Sequence, residues 1–217
     1  MTIPLPNLQA IQTRQLTTYR PYLQGDSLGD VLVLKGRPGP AEDARQPPFS
    51  GADGPALHTA LVALGWKANN WCGLLLRPNG QVALEGAPLL RLIELIDPQA
   101  LLVVDAVALN VLAAAHIAHR EQSLDAPDAN FAHNDIAIDK NSTQSTKSPG
   151  MDVTRPTATT YPTTPSAVRS NFKPGHRYAL SGRQMVYVEG FEDLLQSPKG
   201  KRRAWSQLQA LRWRPVQ

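Results

Sequence analysis

The side chains able to do chemistry are few, and each group points to a different reaction. Glu42-Asp43 is an acidic pair in a Pro/Gly-rich loop. Cys72 is the only cysteine, so an intrachain disulfide and a four-cysteine metal or iron–sulfur site are both excluded. With no histidine or other base nearby in sequence, Cys72 reads as a buried structural thiol in preference to a nucleophile. Asn69 and Asn70 offer amides that both donate and accept. His116, His119 and His133 hint at a metal, but their spacing is loose and their surroundings polar, so no metal site is expected. Near the end, the acidic group Glu189, Glu192 and Asp193 precedes the cationic group Lys199, Lys201, Arg202 and Arg203.

The elements that must position these groups follow from hydrophobic patterning. Val31-Leu32-Val33-Leu34, Trp71 to Leu76 and Leu101 to Val104 are short apolar runs and read as buried strands. Between them, Leu57, Ala60, Leu61 and Leu64 share one helical face, and Leu89, Leu92, Ile93 and Ile96 another. A third helix is expected over 106–118. Strands alternating with helices predict an α/β fold: a three-layer, doubly wound, mostly parallel sheet. The turn Ser181-Gly182-Arg183 should join two further strands, 178–180 and 184–188. A last helix is expected from about Pro198, with Ala204, Trp205, Leu208 and Leu211 on one face. Its first turns carry the four cations, which are unfavourable at the positive end of a helix. Two readings stand for them: a site for a partner anion, and a solvated basic face.

The domain organisation predicted from this is an N-terminal extension over 1–25, read as packed on the domain in preference to a partner-binding peptide, a single α/β domain over 26–118 and 172–217, and a disordered low-complexity insert over 119–171. The insert includes a Ser/Thr-rich run at 141–150 and the Thr/Pro tract 154–165, which cannot bury enough apolar surface to offset the entropy of ordering. With 217 residues, 42% hydrophobic and 18% charged, the rest of the chain has material for a core. The net charge of +4 permits a nucleic-acid or acidic-protein partner without requiring one. No apolar run reaches the roughly 18–20 residues of a membrane span, and the start Met1-Thr2-Ile3-Pro4 is unlike a signal peptide. A cytoplasmic protein is expected.

The order of these motifs resembles the uracil-DNA glycosylase superfamily. The resemblance is carried by a strand, a Gly/Pro loop ending in Glu42-Asp43-Ala44-Arg45-Gln46-Pro47-Pro48-Phe49-Ser50-Gly51, and a following helix. The later Arg77-Pro78 and the ending Leu194-Leu195-Gln196-Ser197-Pro198-Lys199-Gly200-Lys201-Arg202-Arg203-Ala204-Trp205 are similar to the bacterial iron–sulfur branch. The likeness covers about residues 30–116 and 172–212. It implies a base-excision site built from a first-loop acid, a second-strand amide that reads a flipped base, an aromatic that stacks on it, and a last-loop histidine.

Counted onto this chain, three of those positions lack their chemistry. Arg37 stands at the first-loop acid, and a guanidinium stays protonated. Cys72 stands at the amide, unless a slipped register brings Asn70 there. Gly190 stands at the histidine, with His176 too far upstream to replace it. Pro48-Phe49 survives as a vestigial base pocket, or Phe49 is a core anchor of its loop. The branch's cluster cysteines are absent, so no cofactor is expected.

A glycosylase-like fold without its chemistry, preceded by an extension containing Gln15-Leu16-Thr17-Thr18-Tyr19-Arg20-Pro21, is similar in outline to the psi-subunit family of bacterial DNA polymerase III. That resemblance implies a non-catalytic accessory role in DNA replication. Leu8, Ile11, Leu16 and Tyr19 would contact the chi subunit, and the core would dock on clamp-loader proteins. Two alternatives remain: a divergent uracil or damaged-base glycosylase, and a stand-alone DNA-binding module using Arg37, Lys199, Lys201, Arg202 and Arg203.

Overall fold

The computed structural model describes residues 16–26, 28–77, 84–124 and 172–212. Leu8, Ile11, His133 and nearly all of the predicted insert lie outside the described residues. The chain is an α/β protein built on a six-stranded, mostly parallel mixed sheet. Its strands are β1 (Leu23–Gly25), β2 (Val31–Lys35), β3 (Trp71–Leu75), β4 (Ala100–Val103), β5 (Arg177–Leu180) and β6 (Arg183–Tyr187). Their order across the sheet is β1-β3-β2-β4-β6-β5. The inner strands β3, β2, β4 and β6 run parallel, and the edge strands β1 and β5 pair antiparallel with β3 and β6.

The helices are α1 (Pro40–Asp43), α2 (Asp53–Ala63), α3 (Gly86–Ile96), α4 (Ala106–Leu124), α5 (Phe191–Leu194) and α6 (Pro198–Leu208). They cover both faces of the sheet. On one face Leu32, Leu34, Cys72, Leu74, Leu101 and Val103 pack with α3 and α4, through Leu89, Leu92, Leu109 and Leu112. On the other, Val31, Val33, Trp71, Leu102 and Val186 pack with α2 and α6, through Leu57, Leu61 and Leu208. A strand buried on both faces needs apolar residues at every position, which is why β2 is a continuous run and not an alternating one.

The structure departs from the sequence-based outline in two places. Residues 16–25 pack on the domain, as the favoured reading of the extension has it, but they also add an edge strand where none was expected: Leu16 is only 3% exposed within the α3–α4 layer, and β1 pairs Leu23 with Leu74 of β3. The partner-binding role expected of Leu16 is therefore corrected, since reaching a partner would empty its place in the core. Tyr19 packs half-buried against the same layer. The second departure is α4, which continues through residues 119–124, so the helix ends six residues beyond its expected limit at Ala118.

Candidate functional site

The directions in which the chain leaves two neighbouring strands fix where a ligand site belongs. From β2 it passes into α2 on one face of the sheet, and from β4 into α4 on the other. The loops leaving β2 and β4 therefore diverge, and open α/β sheets bind ligands in the crevice at such a switch point. A pocket of about 650 Å³ lies there, at the carboxyl ends of β2, β4 and β6. Arg37, Asp53, Asp105, Gly190, Glu192 and Gln196 line it, with Lys35 at its base.

Lys35 is the last residue of β2, on the same face as Val31 and Val33, and only 3% exposed. Its ammonium meets Asp53 Oδ2 at 2.7 Å, Glu42 Oε1 at 3.0 Å and Glu192 Oε2 at 3.0 Å. It also lies 5.6 Å from the centroid of the Phe49 ring. Burial alone would lower its pKa, but the hydrogen bond and charge of Asp53, then Glu42 and Glu192, outweigh burial and hold it above the ordinary lysine value. Glu42 shows the mirror case: burial pushes its carboxyl up, and Lys35 with the Phe49 N–H pulls it below the ordinary value. Glu42 also accepts the Gly39 N–H at 2.8 Å and the Phe49 N–H at 2.8 Å, so it ties the first loop together.

Asp105, at the end of β4, closes the other wall. It caps α4 by accepting the Val107 and Ala108 N–H groups, both at 2.8 Å. Its second oxygen accepts the Gly36 N–H at 2.6 Å and the Arg37 N–H at 3.3 Å. The helix N-terminus that could receive an anion at this crevice is thus filled by the protein's own carboxylate. The pocket holds Asp53, Asp105, Glu189, Glu192 and Asp193 against Lys35 and Arg37, so its charge is acidic.

The four positions singled out in the sequence do not meet in one pocket. Arg37 is exposed, and with Gly190 it rims the strand-end crevice. Gly190 sits at φ 60°, in the left-handed conformation that opens α5. Phe49 is buried behind Lys35, edge-on to Trp71 at 5.8 Å between centroids. A Cβ on Gly73 would come within 2.5 Å of the Phe49 ring, so the backbone of β3 already occupies the space beside it. Pro48 precedes it in the same buried turn. Cys72 points to the opposite face, among α3 and α4, with no exposure. Asn70 is engaged at the foot of β3, where its amide bonds Asp30 as donor and its Oδ1 accepts the Asp30 N–H at 3.1 Å. His176 is exposed, within hydrogen-bonding distance of Pro174 O. Among the described residues no group of histidine, cysteine and acidic side chains is arranged to hold a metal.

Burial, and to a lesser degree the charge of Asp26, pushes the Cys72 thiol up to about 12. Native protein at neutral pH is expected to react with a disulfide reagent only as fast as it unfolds, so adding denaturant should accelerate labelling by orders of magnitude. Stoichiometric labelling of the native protein within seconds would contradict a sealed thiol.

The cationic run divides on α6. Ser197 caps the helix by accepting the Gly200 N–H at 3.0 Å, and Arg203 pairs with Glu189 at 2.9 Å. Lys199, Lys201 and Arg202 are exposed and make no salt bridge among the described residues. Sequence reasoning missed Lys35, Asp53 and Asp105 altogether. The one available signal was a lysine closing an apolar run that can end only inside the molecule. Among the described residues no helix is long and apolar enough to cross a membrane. Compared with known proteins, the chain matches no family model and no curated protein.

Proposed function

We propose that this chain is a non-catalytic protein of the uracil-DNA glycosylase type that serves DNA replication or repair through protein contacts. Within that class we read it as a psi-like accessory subunit of the DNA polymerase III clamp loader, with chi and the clamp-loader proteins as partners. The observation that carries the non-catalytic half is the Lys35 network. A carboxylate that activates water must be free to take a proton, yet Glu42 and Asp53 are both committed to a buried ammonium. Lys35 is itself held protonated, which removes it as a nucleophile. Among the described residues no imidazole, thiol or hydroxyl lines the crevice. Its acidic rim would also repel a DNA backbone.

The accessory half rests on the motif order and on the N-terminal segment. The informative truncation removes residues 1–15 and leaves Leu16 and β1 in place, because those belong to the core and the sheet. The full chain, mixed with purified chi and clamp-loader subunits, is expected to co-elute with them on size exclusion. Loss of residues 1–15 should weaken binding to one of these partners while the thermal transition stays unchanged. On a uracil-containing oligonucleotide, excess protein should leave no abasic sites. Abasic-site formation would overturn the non-catalytic reading, and absence of any co-elution would overturn the accessory one.

A further inference from the structure

A second concavity, separated from the strand-end crevice by Phe191, which lines both, runs between α2 and α6. It has a volume of about 460 Å³ and is lined by Ala56, Ala60 and Ala63 of α2 and by Lys201, Trp205 and Leu208 of α6. Alanines at spacings of four and three lie on one helical face and leave a shallow, apolar trough. Trp205 forms its wall and is 38% exposed, one of the few large apolar side chains left open to solvent among the described residues. An indole beside an apolar trough is the kind of surface that anchors a protein partner.

The charge around this trough is one-sided. Lys201 lies within it, Arg202 follows it in sequence, and neither makes a salt bridge among the described residues. On the adjoining segment Glu189 pairs with Arg203 and Glu192 with Lys35, while Asp193 is exposed and makes no salt bridge among the described residues; no acid lines the trough itself among the described residues. The N-terminal turns of α6 add the positive end of the helix to those cations. We propose that the α2–α6 groove is a docking site for an acidic peptide segment of a partner protein. An apolar side chain of the segment seats on Ala56, Ala60 and Leu208 beside Trp205, and its carboxylates pair with Lys201 and Arg202. A second copy of this chain is a poor occupant, because the like charges on two such grooves repel. Nucleic acid fits less well, since the trough floor is apolar and Lys201 is the one cation that lines it among the described residues, where a phosphate backbone needs a row of cations. The inference does not depend on which assembly the protein serves.

The test is a selection of random linear peptides, displayed on phage, against the full chain with counter-selection on Ala63→Arg. Ala63 is exposed on the groove face, so an arginine there crosses the trough while keeping its charge positive. Enriched peptides are expected to combine carboxylates with an aromatic or aliphatic residue. Once synthesised, they should bind the wild type at least about tenfold tighter than either Ala63→Arg or Lys201→Glu, with affinity falling as salt rises. Thermal melting confirms that each variant folds, and Thr59→Arg on the same face replaces Ala63→Arg if it does not. The proposal is overturned if no peptide is enriched over the counter-selection, or if the enriched peptides lack carboxylates. It is equally overturned if Lys201→Glu leaves their affinity unchanged, or if oligo-dT displaces them and binds the groove itself.

Discussion

Lys35→Met is expected to lower the free energy of unfolding by about 3–5 kcal/mol at neutral pH, measured by urea denaturation. Methionine nearly matches the length of lysine and packs well beside Val33 and Phe49, so the loss is one of charge and not of volume. Removing one partner of a buried ion network leaves the others charged in a medium that solvates them poorly. Glu42 would keep its two backbone donors, Gly39 and Phe49. Asp53 would fare worse, because its Oδ1 has no hydrogen-bond partner among the described residues and its Oδ2 is held by Lys35. Adding Glu42→Gln and Asp53→Asn to Lys35→Met should recover a substantial part of the loss, since neutral amides need no counter-charge. A loss below about 1 kcal/mol for Lys35→Met alone would mean that water reaches these carboxylates and that the network is not a buried one.

The pH dependence of the same variant carries the sign of the interaction. The folded-state pKa of Glu42 is lowered from 4.5, so its contribution is present above that value and is lost as pH falls through the folded one. The folded-state pKa of Lys35 is raised from 10.5, so its contribution is complete below 10.5 and is lost as pH rises through the folded value. The contribution of this pair to stability should therefore be flat between these limits and fall on both sides. Without the ammonium, the upward push of burial on the Glu42 carboxyl loses its main opponent, and acidification relieves the charge. The gap between wild type and Lys35→Met should accordingly be widest near neutrality and narrow toward about pH 4.

The parts of the fold that were legible in the sequence are those where burial is complete. β2, β3 and β4 stand out as unbroken apolar runs because their neighbours and both covering helix layers exclude water, and the α2 and α3 faces repeat at helical spacing. β1 left no such trace. Leu23-Gln24-Gly25 is a short, largely exposed edge segment, and it is a strand only because β3 offers it an open edge. The end of α4 was illegible for a related reason, since His119 and the polar residues after it show no apolar period. The site was harder still. Lys35 gathers its partners from the short helices α1 and α5 and from the start of α2, and no local pattern links them. Counting along β3 placed Cys72 at the base-reading position, but one residue along a strand reverses the face. Cys72 and Phe49 consequently lie on opposite sides of the sheet.

Asp105→Ala should cost about 2–3 kcal/mol and release the first loop, although Asp105 makes no ion pair with Lys35. Two kinds of contact are lost together. The cap of α4 is one, and replacing a capping aspartate by alanine typically costs about 1 kcal/mol. The Gly36 and Arg37 N–H groups also lose a charged acceptor, and a hydrogen bond to a charged group contributes about 1.5–3 kcal/mol where it is shielded from water. Partial exposure of Asp105 and of the loop lets water recover some of this, which keeps the total below the sum. Gly36 has no freedom to adjust, because a Cβ there would run into the Ala108 N–H and the Asp105 carboxylate. The loop and the start of α4 are thus one packed joint. Hydrogen exchange should show it: in Asp105→Ala the amides of Gly36, Arg37, Val107 and Ala108 exchange faster than the global loss of stability requires, while those of β2 and β4 follow that loss alone. Asp105→Asn keeps one acceptor but no charge, and should fall between the two. If those four amides exchange in Asp105→Ala no faster than their neighbours, the carboxylate does not hold the joint, and the crevice wall is set by the packing of Val104 and Val107 instead.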